Sequence, residues 1–241
     1  MTRREAAVVG VIGSSLAMGM CMAILPVPGH LAAWSVPLVA LPGALATALA
    51  GAIAWRAGRH SRLAQELKRR ARPVELAGVQ VQHVEGLDAA LVAGLRRPRI
   101  YCDRDLADRL TTHELRAVLL HERHHQLDRA PAKLVVLEAI APVLRIVQAG
   151  RAWLEHRYAA LEIAADRYAI EHSVSRASLA GALIKLAPAR QTFGVGFASA
   201  ADIRLKALLD GDLPPKSASP ATWLAAVGAA AAVCVALLAI A

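Results

Sequence analysis

Three long stretches without a charged side chain constrain the fold of this 241-residue chain more than any other feature. They cover residues 6–25, 31–55 and 221–241. Each is long enough to cross the hydrocarbon core of a bilayer as one helix. The chain is 56% hydrophobic but only 4% aromatic, so alanine, leucine and valine supply most of its apolar surface. We therefore expect about three transmembrane helices.

Basic residues set the expected orientation of these helices. Arg3 and Arg4 precede the first stretch, and basic residues with a single acidic one, Glu66, follow the second stretch over residues 56–72. Lysine and arginine collect on the cytoplasmic side of membrane proteins. We expect a multi-pass protein of the cell membrane with its N-terminus inside and its C-terminus outside. The predicted domains are a transmembrane hairpin (1–55), a cytoplasmic domain (56–219) and a C-terminal transmembrane helix (220–241).

The charge balance also bears on partners. A net charge of +9 fits this topology and contact with anionic lipid, so the lipid bilayer is an expected partner. No nucleic acid is expected, because no recognised nucleic-acid module accompanies the charge. A signal peptide is the alternative interpretation of residues 6–25. The second uncharged stretch follows it almost at once, which favours a membrane helix.

The strongest chemical motif is His-Glu-Arg-His-His at residues 121–125, which reads as H-E-x-x-H. On a helix, residues four apart lie on one face, so His121 and His125 can direct their imidazoles to one point. Catalytic zinc takes three protein ligands and keeps one position open for water. Glu122 follows the first histidine and is placed to take a proton from that water. The motif predicts the chemistry of a zinc metallopeptidase.

The third zinc ligand is expected in Glu-Ile-Ala-Ala-Asp, residues 162–166. Glu162 and Asp166 are four residues apart on an expected helix and can face the same place. We predict that Glu162 binds the metal and that Asp166 hydrogen-bonds a ligand imidazole and fixes its tautomer. Glu155 is the strongest alternative to Glu162, followed by Glu171. Both alternatives also fit as surface carboxylates.

Local signals place the histidines on a helix that follows a sheet. Thr111 and Glu114 form a predicted capping box, and apolar residues follow at helical spacing up to His121. Upstream, alternating and β-prone segments between residues 78 and 102 predict a small antiparallel sheet. The edge of such a sheet can bind an extended peptide by strand addition, and residues 99–101 are the candidate edge.

A fourth apolar stretch covers residues 134–147. Lys133 precedes it, and Glu138 and Arg145 interrupt it, which is a poor pattern for a membrane-spanning helix. For residues 132–148 we expect a helix that is buried in the domain or lies at a membrane interface.

A hydrolase also needs a donor to the oxygen that gains charge in the transition state. The candidates just before Glu162 are His156, Arg157 and Tyr158. Tyr168 and Arg204 are further candidates. For most of these side chains, a contact on a helix surface is the preferred interpretation.

Three segments carry a resemblance to known enzymes. They are Pro-Arg-Ile-Tyr at residues 98–101, the run at residues 114–125, and Glu-Ile-Ala-Ala-Asp-Arg at residues 162–167. Together they resemble the membrane-embedded gluzincin metallopeptidases, above all the antirepressor-type peptidases, whose best-known members are the β-lactam sensors of bacteria. HtpX and the CAAX-prenyl peptidases are more distantly similar. The resemblance covers about residues 79–209.

The resemblance implies an α+β, mostly α, integral-membrane zincin fold of the gluzincin type. In those families both histidines and the first glutamate of the later motif bind zinc, and the glutamate of H-E-x-x-H is the base. At the matching positions, this implies His121, His125 and Glu162 as ligands, Glu122 as the catalytic residue and Asp166 as the hydrogen-bond partner of a ligand.

Two departures limit what the resemblance implies. No penicillin-binding domain follows the last predicted membrane helix, and three such helices are predicted where the β-lactam sensors have four, so a drug-sensing role is not expected. Arg204 resembles an arginine that recurs near the end of the family domain.

The sequence therefore predicts a membrane-bound zinc endopeptidase, with one zinc ion per chain, that hydrolyses peptide bonds of a cytoplasmic or membrane protein. Regulatory proteolysis of a repressor is the use that the resemblance implies. The alternative hypothesis is a non-catalytic membrane regulator that keeps the peptidase fold in order to bind a partner. No residue pattern indicates an oligomeric state.

Overall fold

The computed structural model describes residues 29–87, 89–190 and 204–208. The helices are α1 (Gly29–Arg70), α2 (Arg104–Arg109), α3 (Thr112–Leu127), α4 (Ala130–Leu144), α5 (Gln148–Glu171) and α6 (Arg176–Arg190). The strands are β1 (Arg72–Leu76), β2 (Val79–His83), β3 (Ala90–Ala93) and β4 (Arg99–Cys102). Residues 204–208 are also helical. From Arg56 onward, the described residues belong to one compact unit.

The helix α1 contains the second uncharged stretch and corrects the predicted fold class. Within the described ranges, no helix is long and apolar enough to cross a membrane. The prediction of an integral-membrane fold with about three transmembrane helices is therefore wrong for this part of the chain. Much of the uncharged half of α1 is alanine and glycine, and the 42-residue helix continues into a basic half that ends at Arg70. The other predicted membrane helices, residues 6–25 and 221–241, lie outside the described residues.

The strands form one sheet in the order β1-β2-β4-β3. The pairs β1–β2 and β3–β4 are antiparallel, whereas β2 and β4 are parallel. The sheet is thus mixed, and the prediction of an antiparallel sheet is wrong. Residue alternation determines which face a side chain takes but not the direction of the neighbouring strand. Residues 99–101, the predicted edge, lie in β4 inside the sheet, and the edge strands are β1 and β3.

A two-residue turn at Ala77 and Gly78 joins β1 to β2. Both residues have positive φ, 47° and 79°, the combination that a type I′ hairpin turn requires. The turn sets Leu76 opposite Val79 in the register of the hairpin. Nη1 of Arg116 on α3 donates to the carbonyl oxygen of Ala77 at 3.2 Å, which ties the hairpin to the helix that carries both histidines.

Apolar side chains cover both faces of the sheet. On one face, Ile100 packs in a core cluster with Leu119 of α3 and Leu179 of α6. On the other face, Tyr101 packs with Leu67 from the last turns of α1. The helix α3 contacts the sheet, α4, α5 and α6. The histidine motif therefore lies on the helix that the rest of the domain encloses most.

The fourth apolar stretch forms most of α4. Its buried side chains include Leu137 and Ile140. Glu138 pairs instead with two residues of α1, Arg56 at 3.9 Å and His60 at 3.5 Å. Glu138, which interrupts the apolar pattern, is thus an ion-pair partner, and the buried apolar side chains of α4 belong to the core of the domain.

Candidate metal centre

The helix α3 begins with the predicted capping box, which the structure confirms. The Thr111 hydroxyl accepts from the backbone N–H of Glu114 at 3.3 Å, and the Glu114 carboxylate accepts from the backbone N–H of Thr111 at 2.8 Å. Lys185 of α6 donates to the same carboxylate at 2.6 Å. These contacts fix the first turn of α3 and its position against α6. About two turns further on, the helix presents His121 and His125 on one face.

His121, His125 and Glu162 converge on one point. The Nε2 atoms of the two imidazoles are 3.1 Å apart. Glu162 of α5 places Oε2 at 3.3 Å from Nε2 of His121 and Oε1 at 3.3 Å from Nε2 of His125. One ligand atom from each residue can be chosen so that all three lie within 4.8 Å of one another. Glu155 and Glu171, the alternatives to Glu162, are exposed and do not belong to this group.

The distances within this group fit a zinc ion. Zinc holds nitrogen and oxygen ligands at about 2.0–2.1 Å in a tetrahedron, so two ligand atoms are about 3.3–3.4 Å apart. The observed separations of 3.1, 3.3 and 3.3 Å are close to that value. Two imidazoles and one carboxylate supply three corners of the tetrahedron. A catalytic zinc site needs the fourth corner for water or substrate.

Asp166 fixes the ring of His121. Its Oδ1 lies 2.8 Å from Nδ1 of His121, and the two side chains are buried. A carboxylate accepts only, so the proton of a neutral His121 belongs on Nδ1, and its lone pair on Nε2 points toward Glu162. The Glu162 oxygen at 3.3 Å from that nitrogen requires a proton or a cation between the two atoms.

Arg204, in the helical segment 204–208, contacts both carboxylates. Its Nε and Nη2 donate to Oδ2 and Oδ1 of Asp166, each at 2.7 Å. Its Nη1 donates to Oε2 of Glu162 at 2.8 Å. The arginine is 3% exposed. The sequence names Arg204 as a possible oxyanion donor and as similar to an arginine near the end of the family domain. It does not predict these contacts, because the residue lies 38 positions beyond Asp166 and no local spacing connects them.

The neighbours keep both carboxylates ionised. Burial alone would raise the pKa of Glu162 and of Asp166, but Arg204 and His121 lower both values. The pKa of Glu162 is well below its usual range, and that of Asp166 is about 2. For His121, burial and Arg204 lower the pKa, but the hydrogen bonds with Asp166 and Glu162 outweigh them and raise it. In the metal-free protein a proton can therefore satisfy Glu162, and a bound metal would displace that proton.

Glu122 is buried next to the first histidine and is 5% exposed. Its charge acts on two neighbours. Burial raises the pKa of the Cys102 thiol to about 12, and Glu122 contributes to that rise. Burial alone would lower the pKa of Arg204, but the nearby carboxylates, Glu122 among them, raise it.

The predicted oxyanion donors lie in three different environments. His156 is exposed. Arg157 is buried, and its guanidinium carbon lies 5.8 Å from the centre of the Trp153 ring. Burial raises the pKa of Tyr158, and Glu138 of α4 adds to the shift, so the phenol lies near α4. The contacts that define the candidate metal centre are made by other residues.

No protein-family model, curated protein or solved structure matches this chain. The resemblance to gluzincin peptidases therefore depends on the motif residues alone. Support for a function comes from the geometry of the centre itself.

Proposed function

We propose that this chain is a zinc-dependent peptidase in which His121, His125 and Glu162 bind the metal. The observation that carries the proposal is the 3.1–3.3 Å spacing of their ligand atoms. Asp166 supports it, because imidazoles that bind metals usually donate their other N–H to a carboxylate or a carbonyl.

The chemistry divides between the metal and Glu122. Zinc at this site would supply a Lewis acid that polarises a peptide carbonyl and makes water more acidic. Glu122 takes the proton of the attacking water and passes it to the amine of the leaving peptide. Asp166 keeps the proton of His121 on Nδ1, which leaves Nε2 free to act as a ligand.

The sheet offers a place for an extended peptide. The strand β3 is an edge of the sheet, and it packs against α3, the helix that carries both histidines. A peptide that adds to this edge as a further strand would lie beside α3. This position suits a substrate that is held by its main chain more than by its side chains.

The proposal is tested with the purified full-length protein, zinc and a library of unstructured peptides. The wild type should bind about one zinc ion and cleave peptides. Glu122→Gln should bind zinc with similar affinity, because Glu122 is not a ligand, and should lose cleavage by at least about 100-fold, since general base catalysis contributes about 10²–10⁴-fold.

Glu155→Gln is the matched control, because Glu155 is an exposed glutamate on α5 outside the metal group. It should retain both zinc binding and cleavage. Equal cleavage by Glu122→Gln and wild type, or a wild type that binds no divalent metal, would contradict the proposal. Zinc binding without any cleavage would favour the non-catalytic partner-binding hypothesis. The repressor substrate, the lipid partner and the cytoplasmic orientation stay predictions from the sequence.

A further inference from the structure

Arg204 has more contacts with the candidate metal centre than a simple counter-charge needs. It donates three hydrogen bonds to two carboxylates, and its Nη2 is also 3.4 Å from Nδ1 of His121. We propose that Arg204 is a positioning residue for the metal ligands, which orients Glu162 directly and His121 through Asp166. This proposal rests on the proposed metal site.

The planar guanidinium determines the geometry of this arrangement. Nε and Nη2 pair with the two oxygens of Asp166, so the planes of the two groups are aligned as in a bidentate arginine–carboxylate pair. With that pair formed, Nη1 is fixed in the same plane, and it donates to Oε2 of Glu162 at 2.8 Å. One rigid group thus fixes the relative position of two side chains that are four residues apart on α5.

Each of the two carboxylates passes this constraint to the metal group. Oδ1 of Asp166 accepts from both Arg204 and His121, so the position of Asp166 sets the rotation of the imidazole. Oε2 of Glu162 contacts Arg204 and lies 3.3 Å from His121, while Oε1 lies 3.3 Å from His125. Arg204 therefore determines how Glu162 turns its two oxygens toward the histidines.

The core of the domain holds Arg204 in this position. Leu208, four residues later on the same short helix, is 3% exposed and belongs to the core cluster that contains Leu119 of α3. Residues four apart lie on one face of a helix, so the anchored leucine aims the arginine at the centre. The segment 204–208 is thus part of the site, although it lies far along the chain from both motifs.

A counter-charge and a positioning residue make different predictions for Arg204→Lys. Lysine keeps the positive charge but has one ammonium group, which cannot reproduce the three-point contact of a guanidinium. If charge alone mattered, lysine would restore both stability and metal binding. If orientation matters, lysine restores part of the stability and leaves metal binding defective.

The experiment compares wild type, Arg204→Lys and Arg204→Gln as full-length, metal-free proteins. Each is titrated with cobalt(II), whose visible absorption reports ligand geometry, and each is unfolded in denaturant without metal. Arg204→Lys keeps the charge and should retain more of the stability than Arg204→Gln, but it should bind cobalt about 10–100-fold more weakly and with a changed spectrum, the range typical for groups that orient metal ligands. Arg204→Gln should lose both stability and affinity.

Arg116→Lys is the matched control, because Arg116 is an exposed arginine of α3 that bonds to the hairpin turn rather than to the centre. It should leave the cobalt affinity and spectrum unchanged. Wild-type affinity and spectrum in Arg204→Lys would overturn the positioning role, and this holds even if Arg204→Gln fails to fold. A wild type that binds no cobalt would instead contradict the proposed function, so the two failures are distinguishable.

Discussion

The candidate metal centre has a local half and a distant half. The local half is residues 121–125, which a single helix places on one face. The distant half is Glu162, Asp166 and Arg204, and its hydrogen bonds to the local half and within itself join residues 38 to 45 positions apart. Helix geometry alone forms the first half, whereas the second exists only when α5 and the segment 204–208 have packed. The comparison shows that a motif specifies where ligands can lie, and that tertiary packing decides whether the ligand set is complete.

The two halves also differ in how their charges are balanced. The local half presents imidazoles, which can bind a metal without a counter-charge, whereas the distant half joins two ionised carboxylates to one guanidinium in a buried place. Removing one member of a buried ion pair leaves its partner without compensation, which is more costly than losing an exposed contact. Substitutions in the distant half should therefore have the larger effects on stability.

The largest effect is expected for Asp166→Ala in the metal-free protein. The substitution removes two of the three hydrogen bonds that Arg204 donates to carboxylates, and it leaves Nδ1 of His121 without its carboxylate. We expect the free energy of unfolding to fall by about 3–5 kcal/mol, the usual cost of breaking a buried ion pair. Denaturant unfolding in the presence of a chelator measures it. Glu155→Ala, on the exposed side of α5, is the control. A loss of unfolding free energy below about 1 kcal/mol for Asp166→Ala would show that the distant half is not a buried charge network.

A smaller effect is expected for Leu208→Ala. The side chain is 3% exposed in the core cluster, so its truncation should lower the free energy of unfolding by about 2–4 kcal/mol. The informative comparison is with Leu106→Ala, a leucine of the same cluster that is 0% exposed and lies in α2. Both should destabilise the protein, but only Leu208→Ala should also weaken cobalt binding, since only it holds Arg204. If the two variants bind cobalt with equal affinity, the segment 204–208 does not position the metal ligands.

Much of the local half could be predicted from the sequence. The capping box at Thr111 and Glu114 is a short-range pattern, and the structure confirms it. The spacing of His121 and His125 predicts that their rings share one face, and their Nε2 atoms are indeed 3.1 Å apart. In the distant half, the same spacing predicts that Glu162 and Asp166 share one face of their helix.

Interactions between distant elements could not be predicted in this way. The parallel pairing of β2 with β4 depends on where β3 lies, and alternation within a strand carries no information about that. The contacts of Arg204 depend on how the segment 204–208 packs against α3. The membrane helices were predicted from an absence of charge. In the described part of the chain, the absence of charge alone did not distinguish a membrane-spanning helix from an alanine-rich helix with a basic second half.

The smallest expected effect concerns the contact that joins the first turn of α3 to α6, and it depends on pH. The hydrogen bond from Lys185, with the two from Thr111, holds the pKa of Glu114 below its usual value, although burial opposes the shift. Because the pKa is lower in the folded state, the ionised carboxylate stabilises the fold fully above the unfolded pKa of about 4.3. This contribution is lost as the pH falls through the lower, folded pKa.

Glu114→Gln should therefore lower the free energy of unfolding by about 1 kcal/mol at pH 7, and the difference from wild type should shrink as the pH falls below about 4. Denaturant unfolding of both proteins across this range measures it. A difference that stays constant with pH would mean that the charge of Glu114 does not contribute to the contact between α3 and α6.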